Sequence, residues 1–265
     1  MPCPSATLIA WTSAWLPGAV SPDDVLDALR PWAEVHEVVA ADTETGTRLE
    51  LPVAGARPAG PALLLAVLRR HGAADGRLVL PVPGDVRGLP GPGALTRAAL
   101  AAGEAVVLPG AGLGIVPTPV VEGILRWTVH LVPRCDAHAV YPSLGEAEHH
   151  MAEAMRRAAD TLTVLDVARH RRGVRAEIDA MLRARPRAPW PPGTPPRALR
   201  VLERADQLAA ILAAAGGDPE GSAVSASAIR ARGAALRPLD EAVRLARCAA
   251  VTEIVRVFGD RVDRR

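Results

Sequence analysis

Lysine and asparagine are absent from this 265-residue chain, and all 31 basic residues are arginine. A Walker-type phosphate loop is thereby excluded, because its lysine has no candidate. Phenylalanine and tyrosine occur once each, while Ala, Gly, Pro and Arg abound. That profile fits a very G+C-rich coding sequence, so each Ala, Pro or Arg carries less structural information than usual. The three cysteines, Cys3, Cys135 and Cys248, are odd in number and far apart. They have no framework spacing and read as free thiols in a reducing compartment. No Gly-x-Ser-x-Gly elbow or Ser/His/Asp order is present. The apolar run Leu8–Leu16 contains Thr12 and Ser13 and has no basic segment before it. It is neither a signal peptide nor a membrane span, and the expected location is the cytoplasm.

About half the residues are hydrophobic, enough for one large domain or two small ones with a real core. The formal net charge is only +2, so no global nucleic-acid field is implied. Its distribution is uneven, with ten Arg against three acids in residues 169–204.

The chain changes period at about residue 142. Before it, short runs of Val, Leu and Ile alternate with helical patterns. Leu8, Trp11 and Trp15 form a helical stripe ended by Pro17-Gly18, and the two tryptophans read as core or subunit-interface anchors rather than a binding box. Ser21-Pro22-Asp23-Asp24 supplies an N-cap, a first-turn Pro and two acids to a second helix. Strands are expected at 35–40, 78–82, 105–108, 113–116 and 125–132, with helices at 61–71 and 95–102. The segment from Asp42 to Gly60 reads as a polar loop. Strand–helix–strand order makes the first three strands parallel, and the short 109–113 connection makes the fourth antiparallel.

Beyond Pro142 the pattern is helical. Ser143-Leu-Gly-Glu146 is a capping box opening a long helix, and Val174–Arg183 is another. Residues 186–196, Pro-Arg-Ala-Pro-Trp-Pro-Pro-Gly-Thr-Pro-Pro, read as an extended linker. Helices follow at 197–215, 222–234 and 238–258, the last two separated at Pro238. The expected class is α+β: a mixed α/β sheet domain over 1–142, then an all-α half over 143–265.

Open α/β sheets bind ligands beyond the carboxyl ends of their strands. The expected strand order gathers Asp42, Asp85, Arg87, Arg134, Asp136 and His138 on that rim, where an Arg fork suits a carboxylate or phosphate. An Asp85–Arg87 pair that stiffens its own loop is the competing reading. Gly110-Ala-Gly112-Leu-Gly114 follows a strand but precedes another, so it reads as a hairpin turn rather than a dinucleotide fingerprint. His130, mid-strand, reads as packed. Glu146, His150 (or His149) and Glu153 fall near one helix face at spacings that suit a carboxylate-bound metal, against the alternative of a solvated helix end. No motif specifies a cofactor. Trp190 with Arg171, Arg172 and Arg175 marks a candidate surface for a protein partner or a second copy, and nucleic acid is the alternative. The expected role is binding a partner or a small anionic ligand at the sheet rim. An enzyme with an unfamiliar site at that rim is the alternative, and nucleic-acid binding through 169–204 a further one.

Overall fold

The computed structural model describes residues 3–72, 75–134, 141–164, 173–186, 188–216 and 226–260. The chain is α+β, with a mixed five-stranded sheet and its helices followed by a half built of helices alone. It separates into two units. One contains Pro2–Val140, Pro186–Pro195 and Val251–Arg265; the other contains Tyr141–Arg185 and Pro196–Ala250.

In the sheet unit, α1 (Pro4–Trp15) is buried from Ser5 to Trp15, so it is a central helix rather than an amphipathic one. Two of its buried hydroxyls bond the helix backbone: Thr12 Oγ1 donates to Leu8 O at 2.7 Å and Ser13 Oγ to Ala10 O at 2.8 Å. No side chain of its own caps it, and Glu104 does so from a distance, its Oε2 accepting from the Ser5 N–H at 2.8 Å. The Trp11 indole donates to Pro189 O at 2.7 Å, which pins the Pro-rich segment to the same unit. Helix α2 (Pro22–Leu29) has the expected Ser21 N-cap, and Asp24 completes it to a capping box.

The sheet runs β1 (Val35–Ala40), β5 (Ile124–Leu131), β4 (Leu113–Val121), β3 (Ala105–Leu108), β2 (Arg77–Val79). Only β1 and β5 are parallel; β5–β4, β4–β3 and β3–β2 are antiparallel. Register puts Leu125, Trp127 and Val129 on one face with Val38, Ala40 and Ile115. On that side Ile9 of α1 reaches Leu108, so closely that a Cβ on Gly76 would clash with both. Arg126, Thr128 and His130 share the other face with Glu37, Gly114 and Val107. There α5 (Ala94–Ala102) packs Leu95 and Ala99 against Val79, Val107 and Val116.

Several sequence expectations are corrected. β2 is antiparallel to β3 because α5 starts beside Gly114, near the carboxyl end of β3, and runs back to the start of that strand. The fourteen residues between Val79 and Ala94 therefore cover the whole length of the sheet before the helix begins. β2 is likewise neither parallel nor adjacent to β1. The supposed loop after Asp42 contains α3 (Thr43–Leu49), with Asp42 as its N-cap. β4 runs on through Pro117 and Pro119, which is tolerated because only β5 pairs with it there. The outer edge of β1 is covered by bonds from Ala40 N–H to Pro52 O and between Val38 and Ala59. Helix α4 (Pro61–Arg70) then returns the chain toward β2.

In the other unit lie α6 (Leu144–Val164), α7 (Val174–Arg183), α8 (Pro196–Gly216) and most of α9 (Ala226–Gly259). Pro238 does not break α9. Leu239, Val243 and Ala246, on the C-terminal side of the missing bond, are buried. Among the described residues no helix is long and apolar enough to cross a membrane.

Candidate functional site

Strands β1, β3 and β5 end at one rim of the sheet. Ala41 N–H bonds Val129 O, placing Asp42 beside the last turn of β5, and the 109–112 hairpin turn stands next to it. Gly112 is left-handed there (φ 69°), and a Cβ on it would lie 3.0 Å from Arg134 Cγ and 3.1 Å from Val132 O. The glycine cluster is thus the hairpin, with the backbone pressed against Arg134. Gly110 N–H donates to Asp75 Oδ2 at 2.9 Å, tying the entry of β2 to the same turn.

Four charged groups in and beside the rim are committed within the protein. Asp42 accepts from Thr45 N–H at 2.8 Å as the cap of α3, and these bonds hold its carboxyl below the usual range. Asp75 holds the hairpin, and Arg70 pairs with Glu50 at 3.2 Å. His71 ends α4; burial lowers its pKa first, then the charges of Arg134, Arg70 and Arg48. Among the described residues Arg48 and Arg134 pair with no carboxylate. His130, 6% exposed, leaves Nε2 without a hydrogen-bond partner; burial lowers its pKa while Asp42 opposes the shift.

Only part of the expected rim assembles. Asp42 and Arg134 share it. Asp136 and His138 lie outside the described residues. The antiparallel β2 releases the chain at the opposite end of the sheet, so Asp85 and Arg87 leave from there instead. They bond one another, Arg87 Nε and Nη2 to the two Asp85 oxygens at 2.8 and 2.7 Å, and stiffen their own loop. Arg48 and His71 escaped notice in the sequence, one inside a segment read as loop and the other as the last residue of a helix.

The residues considered for metal do not converge. Glu146 closes the capping box with Ser143, which lowers its pKa, and Glu153 faces Arg157 at 3.5 Å and His149 rather than His150 at 4.0 Å. Among the described residues no group of three His, Cys, Asp or Glu is placed to hold an ion. A groove of about 580 Å³ between α6 and α9 is lined mainly by alanines, such as Ala154 and Ala234, and brings no set of polar groups together. Trp190 is half-buried in the sheet unit and Arg175 is exposed in the helical unit; Arg171 and Arg172 lie outside the described residues.

Residues 5–141 match the N-terminal domain and residues 145–248 the C-terminal domain of Rv1486c-like protein. The chain belongs to the Rv1486c-like protein family. It is 38% identical over 289 aligned positions to uncharacterized protein Rv1486c of Mycobacterium tuberculosis H37Rv, covering 96% of this chain and 97% of that one. It is 34% identical over 297 positions to uncharacterized protein ML1804 of Mycobacterium leprae, with 96% and 97% covered. Similarity to the family thus extends over both halves of the chain. No solved structure matches it.

Proposed function

We propose that this protein binds a small anionic ligand at the rim where β1, β3 and β5 end. The observation that carries the reading is the set of cations around His71. Arg48 and Arg134 bring positive charge there with no described carboxylate to meet it, while the nearby acids are engaged with backbone N–H groups or Arg70. Like charges held together raise the energy of the empty site, and an anion between them removes the repulsion. Arginine forks and the hairpin backbone suit a carboxylate or phosphate.

The test uses His71 as its own reporter. Its ring resonances are followed by NMR against pH, with and without inorganic phosphate and with malonate as the carboxylate probe. Bound anion raises the His71 pKa toward its ordinary value, and Arg134→Ala or Arg48→Ala weakens binding roughly tenfold. A His71 titration unchanged by either anion refutes the proposal.

A further inference from the structure

In the helical unit two arginines close on one carboxylate. Asp206 sits on α8; Arg247 of α9 donates through Nη2 to Asp206 Oδ1, and Arg185, just past α7, brings Nη1 to 3.6 Å of the same oxygen. Both guanidinium side chains are only 9% exposed. Among the described residues, three of their nitrogens are buried without a hydrogen-bond partner: Arg185 Nε, Arg185 Nη1 and Arg247 Nε. Burial lowers the Arg247 pKa, and the buried thiol of Cys248 opposes the shift.

A guanidinium stays protonated in proteins, so this site carries two full positive charges. Among the described residues one carboxylate, Asp206, is shared by both. A buried guanidinium whose N–H groups are unmet is among the costlier arrangements a fold can hold. We propose that the Arg185–Asp206–Arg247 site binds a tetrahedral oxyanion, a phosphate either free or as a phosphomonoester. Three unmet donors on two separate forks match the several oxygens of a phosphate better than the two of a carboxylate. Asp206 keeps a quarter of its side-chain surface exposed, and an anion reaches the buried nitrogens from that side by turning the guanidinium groups outward. It shares no residue with the sheet rim, so its fate is independent of the reading given for that rim.

The Nε–H groups of Arg185 and Arg247 allow a local test. In the full-length protein their NMR resonances are followed during titration with inorganic phosphate and, separately, glycerol 1-phosphate. Sodium chloride at matched ionic strength is the control. Saturable shifts of both resonances with phosphate and not with chloride are expected. A tighter response to glycerol 1-phosphate assigns the site to phosphomonoesters, and a tighter response to inorganic phosphate assigns it to the free ion. Arg185→Gln lowers the phosphate affinity about tenfold or more, as expected for loss of a charge-assisted donor. Asp206→Asn raises it by removing the competing carboxylate, and the rim variant Arg134→Ala leaves it unchanged. Phosphate shifts no larger than those with chloride overturn the proposal whether or not the variants fold. Phosphate affinity unchanged in a folded Arg185→Gln protein also overturns it.

Discussion

The indole N–H of Trp127 donates to His36 Nδ1 at 3.0 Å, and His36 Nε2 lies 3.0 Å from Leu29 O. Accepting at Nδ1 leaves Nε2 to carry the only ring proton, so His36 is neutral and one tautomer is fixed. The ring bridges β5, β1 and the end of α2, and burial holds its pKa below the usual histidine value.

Acid should therefore loosen this bridge. A depressed folded-state pKa gives a contribution that is present above the unfolded value, 6.5, and is lost as pH falls through the folded one. His71 and His130 shift in the same direction, so the share of His36 is read from a variant. His36→Phe strands the Trp127 N–H and the Leu29 carbonyl and should cost about 1–3 kcal/mol at neutral pH. The cost should shrink between pH 7.5 and 5 in urea denaturation; a cost independent of pH would refute the tautomer argument.

Glu104 gives the opposite pH dependence. Burial raises its pKa above 4.5 despite its bonds to Ser5. Its contribution is fully present below the unfolded pKa and is lost as pH rises through the folded one. Glu104→Gln should then gain on the wild type as pH rises from about 4 to 7. Glu104→Ala, which removes the cap of α1, should cost about 1 kcal/mol. Parallel denaturation curves for wild type and Glu104→Gln at every pH would show that the carboxyl does not titrate in the folded protein.

Gly114 faces His130 across β4 and β5, and a Cβ there would lie 2.4 and 2.7 Å from the Leu95 methyls and 3.1 Å from its Cγ. Gly114→Ala should destabilise by about 1–3 kcal/mol through overpacking. Leu95→Val in the same chain should recover part of that loss, measured as a coupling energy. Strict additivity would mean that the sheet, not α5, yields.

These elements show why the sequence was legible in parts. Ser21 with Asp24 and Ser143 with Glu146 are local signals, and both caps form as expected. So do β1, β3, β5 and the β3–β4 hairpin, which depend on neighbours in sequence, whereas β2 is shorter and β4 longer than expected. The direction of β2 depends on where α5 lands, which is decided by Leu95 packing against Gly114 nineteen residues on. Short apolar runs carry no such information. The rim was half legible for the same reason: Asp42 and Arg134 follow strands whose mutual direction was read correctly, whereas Asp85 and Arg87 follow the one that was not. Arg48 and His71 sit there only because α3 and α4 return to the sheet.

The pairing of β1 with β5 has a consequence for how the chain is made. Glu37 meets Arg126, 89 residues later, at 2.7 Å, and β1 has no other strand beside it. A growing chain released at the ribosome must finish the whole β2–β5 region before its first strand has anything to join. The antiparallel β3–β4–β5 meander closes through local turns and is the natural nucleus, with β1 docking last and slowly. In the finished sheet the stretch from Pro52 to Ala59 bonds the outer edge of β1, the edge that an unjoined strand would leave open to other chains.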